Sequence, residues 1–345
     1  MTGLSRFGLG FAALTVAALA SPALAQSDGP RHLVPGSVMI FPVFDARDGF
    51  DSIITVTNTN DDRRVNENRW RNGDVSVHFV YIDGETWLEF DVDELLTPSD
   101  TISVLASQHA IDNMQGWLWV EARDPERPGC PIDFDYLIGS AILTNADFNL
   151  EWEYAPYTFR ALPGQNRESE YGYSGNGHAY VEDCDAIEEG LEASYLDFDG
   201  SEYDYFPRYI YIDQYFGEGS PAEVPGGGTF ANTAYILSTE MEGTSGTILF
   251  YNNNEREFSR GFRFDCWVGQ ALSAFSNQAL ESNTRIGYDS SELKGIPYGW
   301  LRFDSRDPVL GAFVQQITKG GQSFVAGDLM HFSGYRDDAR ILRFN

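Results

Sequence analysis

Lysine is nearly missing from this chain. Of 23 basic residues only Lys294 and Lys319 are lysines, against 52 acidic residues and a formal net charge of −29. A field of that sign repels phosphate backbones and anionic lipid surfaces, which excludes nucleic acid as a partner. The same shortage removes the G-x-x-x-x-G-K phosphate loop. Cysteine is also scarce, with three residues, and neither C-x-x-C nor H-E-x-x-H occurs. The runs "GYSGNG" (172–177) and "GTSGT" (243–247) lack the G-x-S-x-G spacing of a nucleophile elbow. Long helical periodicities are absent, and after residue 25 no apolar run is long enough to span a bilayer.

What is present begins with a targeting segment. Arg6 precedes the apolar run "GLGFAALTVAALA", and "SPALA" places Ala23 and Ala25 in the spacing a signal peptidase accepts. Residues 1–25 therefore read as a signal peptide, and the chain as exported to a bacterial periplasm or beyond the cell, with no integral membrane segment left. Cleavage removes only Arg6, so the charge becomes −30 (from −29, less one positive charge).

The remaining sequence alternates. "VSVHFVYI" (75–82) and "RGFRFDCWV" (260–268) each set apolar residues on one strand face, and Gly, Asn, Asp and Pro punctuate the chain at short intervals. A decapeptide recurs: "GWLWVEARDP" (116–125) and "GWLRFDSRDP" (299–308). Around it, "PGSVMIFPVF" (35–44) aligns with "PRYIYIDQYF" (207–216), setting Val38, Ile40 and Phe44 over Ile210, Ile212 and Phe216. "HFVYIDGE" (78–85) aligns with "ILFYNNNE" (248–255), and "LIGSAILT" (137–144) with "LGAFVQQIT" (310–318). The common order of these matches predicts an all-β chain of two tandem homologous antiparallel β-sandwich units, immunoglobulin-like in strand rhythm. The expected boundaries are an N-terminal segment 26–34, unit 1 at 35–145, an aromatic-acidic insertion at 146–205, and unit 2 with C-terminal strands at 206–345. What diverged copies share is most economically scaffold, so function is expected where the halves differ.

The insertion offers the candidates. The 22 residues 195–216 hold nine aromatics and five acids. Tyr203 and Tyr205 are the candidate ligand contacts, since aromatics flanked by carboxylates suit a carbohydrate or protein surface. Asp197, Asp199, Glu202 and Asp204 are candidate oxygen ligands for calcium, the sole cofactor the sequence points to. The loop departs from an EF-hand because Gly200 comes too early and Arg208 stands where a glutamate belongs. His178, Glu182, Cys184 and Asp185 invite a zinc reading that no spacing motif supports. Cys130 and Cys184, both in polar loop-like sequence, are the expected disulfide, leaving Cys266 on an apolar strand face. No catalytic residue is singled out. The expectation is a non-enzymatic binding or surface-associated protein. A hydrolase using two carboxylates, such as Asp133/Asp135 or Glu151/Glu153, and a purely structural envelope protein stay open beside it.

Overall fold

A computed structural model describes residues 34–65, 70–109, 113–145, 150–162, 171–189, 195–217, 228–240, 243–252, 257–275 and 298–343. The first series of elements is β1 (Val38–Asp45), β2 (Phe50–Asn58), β3 (Val75–Asp83), β4 (Glu89–Leu96), β5 (Thr101–Leu105), the single turn α1 (Ala106–His109), β6 (Gln115–Arg123), β7 (Leu137–Asn145), β8 (Leu150–Tyr154) and β9 (Tyr157–Phe159). A connector carries α2 (Cys184–Glu189) and β10 (Tyr195–Asp197). The second series is β11 (Phe206–Phe216), β12 (Thr229–Ser238), β13 (Thr244–Asn252), β14 (Glu257–Phe264), β15 (Trp267–Ala271), α3 (Leu272–Phe275), β16 (Tyr298–Ser305), β17 (Val309–Lys319), β18 (Gln322–Leu329) and β19 (His331–Arg336), and β20 (Arg340–Leu342) follows.

These strands form antiparallel sheets, as the period-2 alternation predicts. The first series builds a five-stranded sheet, β4-β3-β6-β1-β9, and a four-stranded one, β5-β2-β7-β8. Adding ten to every strand number gives the second pair, β14-β13-β16-β11-β19 and β15-β12-β17-β18. The decapeptides occupy equivalent strands, β6 and β16. Each starts at a glycine paired beyond an irregularity in its neighbour: Phe44 faces Gly116, and Tyr215 faces Gly299. A Cβ on Gly116 would lie 1.9 Å from the Ile82 carbonyl oxygen, so only glycine fits that strand entry.

Three expectations need correction. The four larger sheets form a propeller-like ring of four blades and not two clear immunoglobulin-like sandwiches. The sequence matches outside the decapeptide slip by one residue. Phe41 pairs with Leu118 as Ile212 pairs with Leu301, so Phe41, and not Ile40, corresponds to Ile212. Likewise Tyr81 and Phe250 are equivalent through the same partners. Strand side chains alternate, so a slip of one swaps the faces, and apolar runs buried on both sides give no signal against it. Finally, residues 150–159 are not insertion. β8 and β9 complete the first two sheets as β18 and β19 complete the second two, which leaves the connector near 160–205.

The core explains why the halves sit together. Every residue of β1 is buried, as the continuous apolar run VMIFPVF of its first seven positions requires of a strand covered on both faces. Across the halves, the Tyr157 hydroxyl reaches the carbonyls of Gly311 and Met330 at 2.8 and 2.7 Å. The Trp267 indole donates to the Pro42 carbonyl at 2.8 Å. Among the described residues no helix is long and apolar enough to cross a membrane.

Candidate functional site

Equivalent faces of the two five-stranded sheets have different fates, and that difference locates the site. On β6, alternation puts Trp117, Trp119, Glu121 and Arg123 on one face, and all four are buried. On β16 the same alternation presents Trp300, Arg302 and Asp304, while Leu301 and Phe303 point into the core. Trp300 is 38% exposed.

The covered face is closed by the connector and the residues around β20. Glu121 is fully buried and accepts from Arg343 Nη2 at 2.6 Å, Arg123 Nε at 3.0 Å and the Tyr203 hydroxyl at 2.9 Å. Arg343 also pairs with Glu182. Burial alone would raise the Glu121 carboxyl, but the two guanidinium groups outweigh it and hold it near 2. Beside this network, Nδ1 of buried His78 lies 2.8 Å from an Asp93 carboxylate oxygen. Glu89 is pushed up to about 7 by desolvation and by Asp91. His78 Nε2, Glu89 Oε2, Trp117 Nε1, Trp119 Nε1 and Arg123 Nη2 are buried there without a hydrogen-bond partner.

The open face is an aromatic ridge crossing three strands. Tyr251 of β13 stacks on Trp300 of β16 with centroids 4.0 Å apart and planes within 7°. Tyr211 of β11 follows at 6.3 Å on the other side. Register sets these rings in line, because Tyr251 faces Trp300 and Tyr211 faces Arg302 across the ladders. Polar groups flank the ridge. The Tyr251 hydroxyl donates to Glu257 at 2.9 Å, and the Tyr211 hydroxyl shares a 2.8 Å bond with Ser333. Arg302 lies 4.7 Å from the Tyr209 ring and 3.6 Å from Asp304. Tyr335, 53% exposed, extends the surface toward Tyr205 at 6.0 Å. Rings with hydrogen-bonding neighbours can hold a partly apolar, partly hydroxylated ligand.

The residues singled out from sequence are dispersed among other tasks. Tyr203 is not a surface contact: it is fully buried under the first sheet, where its hydroxyl serves Glu121. Tyr205 is half-buried, with its ring against Gly200, a residue at φ 80° whose added Cβ would lie 2.5 Å from that ring. The calcium set does not converge. Asp204 is buried and bound twice by Arg160 at 3.1 Å, Asp197 is paired to Arg340 at 2.6 Å, and Asp199 closes a turn by accepting from the Ser201 amide at 2.8 Å. Glu202 is raised to about 8 by desolvation and by Glu182 and Asp197. Among the described residues no group of three or more His, Cys, Asp or Glu is placed to hold a metal. His178 uses both ring nitrogens on the carbonyls of Asp133 and Asn72, at 3.0 and 2.7 Å. Cys130 and Cys184 are neighbours in hydrogen-bond contact, yet stand as free buried thiols and not as the expected disulfide.

Of the acid pairs, Asp135 is a brace, accepting from Ser37 at 2.8 Å and the Ala161 amide at 3.0 Å, and burial with Asp133 nearby raises it to about 7. Glu153 lines an open cleft. The ridge residues were missed because Tyr209, Tyr211 and Trp300 belonged to strands already read as scaffold. The signal was there: where β6 has Trp119 and Glu121, β16 has Arg302 and Asp304, a polar strand face.

No family model and no curated protein matches the chain. Among solved structures, a crystal structure of Thermotoga maritima 1070 aligns with 38% of this chain and 98% of its own, at 9% identity and a TM-score of 0.28. The viral chemokine binding protein R17 of rodent gammaherpesvirus Peru aligns with 92% of this chain and 89% of its own, at 8% identity and a TM-score of 0.19. At such scores neither likeness informs fold or function.

Proposed function

We propose that this is an exported, non-enzymatic binding protein of the periplasm or cell exterior that holds carbohydrate chains on the aromatic ridge of its second five-stranded sheet. The observation that carries the reading is the cross-strand row Tyr251, Trp300 and Tyr211, left accessible where the equivalent face of the first sheet is closed. Sugar rings offer C–H faces to aromatic side chains and hydroxyls to their polar neighbours, here Glu257, Ser333, Arg302 and Asp304. The leader-like residues 1–25 support export. The matching strand orders support descent of both halves from one duplicated sandwich-like unit.

Retention of the purified protein on insoluble polysaccharides (cellulose, chitin, chitosan, xylan, pectin, peptidoglycan) tests the reading. Retention without release of sugar is expected on at least one, and Trp300→Ala with Tyr251→Ala should abolish it while the fold persists. Release of reducing ends would favour a hydrolase. Binding to none, or binding the double variant equally, would leave a protein partner or a structural role.

A further inference from the structure

The ridge ends at an acidic cleft. Along β18, residues Gly327 to Leu329 line two adjoining cavities of about 570 and 260 Å³. The larger is walled by Glu153 and Tyr154 of β8 from the first half, and by Asp328 and His331 from the second. The smaller adds Asp213, Phe313 and Tyr211, the last ring of the ridge. His331 lines both cavities and sits 3.6 Å from Asp213. A ligand lying across Tyr251, Trp300 and Tyr211 therefore runs into the cleft without leaving the protein surface.

The lining is acidic apart from His331, which pairs with Asp213. Glu153, Asp213 and Asp328 face the space, and no lysine or arginine is among the described residues that line either cavity. Glu153 and Asp328 come from opposite halves, so folding brings two like charges to one cavity, whose basic side chain, His331, lies 3.6 Å from a different acid, Asp213. A carboxylate-bearing ligand would be repelled there, and a neutral sugar brings no charge to meet the pair. A ligand ammonium instead gains charge-assisted hydrogen bonds, and the net charge of −29 raises its local concentration. Tyr154, Tyr211 and Phe313 supply apolar wall for the sugar ring that carries it.

We propose that the glycan taken by this protein bears free amino groups, and that the β8–β18 cleft is the subsite for an amino sugar at the end of the ridge. This rests on the ridge being a glycan site. Calorimetry at pH 5.5 with a glucosamine hexamer and an N-acetylglucosamine hexamer tests both together. The free-amine hexamer should bind at least about tenfold more tightly, a difference of 1.4 kcal/mol. Glu153→Gln with Asp328→Asn, both at exposed positions, should erase that preference and leave the N-acetylated hexamer unaffected. Trp300→Ala should weaken both. Equal affinity for the two hexamers in the unaltered protein overturns the subsite while leaving the ridge intact. A preference that survives the double variant also overturns it, since net charge would then be its source. If neither hexamer binds, the subsite fails, and polysaccharide retention decides separately whether the ridge reading does.

Discussion

Glu121 and Asp304 occupy the same position on equivalent strands, yet one is sealed in a four-group ionic network and the other meets solvent. Glu121 is fully buried between Arg123 and Arg343, whereas Asp304 is 40% exposed and lies 3.6 Å from Arg302. The difference follows from what lies above: the connector and β20 cover the first sheet, and among the described residues no such cover closes the second. Two sheets of matching strand order can thus differ in use, one face closed by the chain itself and the other exposed.

Substitutions at paired positions break or sharpen this comparison. The largest effect should come from Glu121→Ala, which strands two buried guanidinium groups. Urea unfolding should show a loss of about 3–5 kcal/mol, the cost of breaking a buried pair from one side. Asp304→Ala should change stability by less than about 0.5 kcal/mol, as surface substitutions do. Equal losses would mean the two faces are equally committed to structure. The tryptophans repeat the contrast. Trp119→Ala should cost about 3–5 kcal/mol as a buried aromatic. Trp300→Ala should cost roughly the 0.5–1.5 kcal/mol of one aromatic pair.

A smaller effect concerns pH. Glu202 is raised to about 8, so between its unfolded value near 4.5 and about 8 the folded state holds a proton that the unfolded chain has lost. Stability therefore falls as pH rises through that window. Glu202→Gln should flatten the decline and raise Tm at pH 8.5 by about 2–4 °C. Glu121 acts in the opposite sense. Its carboxyl is held near 2, so its contribution is present above 4.5 and is lost as pH drops toward 2.

Strand content and the equivalence of the decapeptides were legible because local alternation and a glycine entry are written in contiguous residues. Register was not: β1 is buried on both faces, so a one-residue shift leaves its apolar run equally apolar, and in β3 the polar Ser76 and His78 are buried too, so polarity there does not mark a solvent face. Tyr203 carries no local sign of its burial for a related reason: acids flank it, and the arginine that reaches its hydroxyl lies 140 positions later. The ridge needed strand order as well as sequence, because β13, β16 and β11 come from segments far apart in the chain. Neutralisation of Glu121 by Arg343 spans 222 residues and carries no local mark.

That last contact has a kinetic consequence. Strand β20 pairs with β10, and Arg343 reaches Glu121 on a strand made more than two hundred residues earlier. During synthesis Glu121 has Arg123 at hand on its own strand, but its second guanidinium and the last of its cover arrive only with residue 343. Contacts of such sequence separation close late and slow the search for the native state. Folding of the two halves is therefore not a simple succession from the N-terminus, because the half made first is the one completed last.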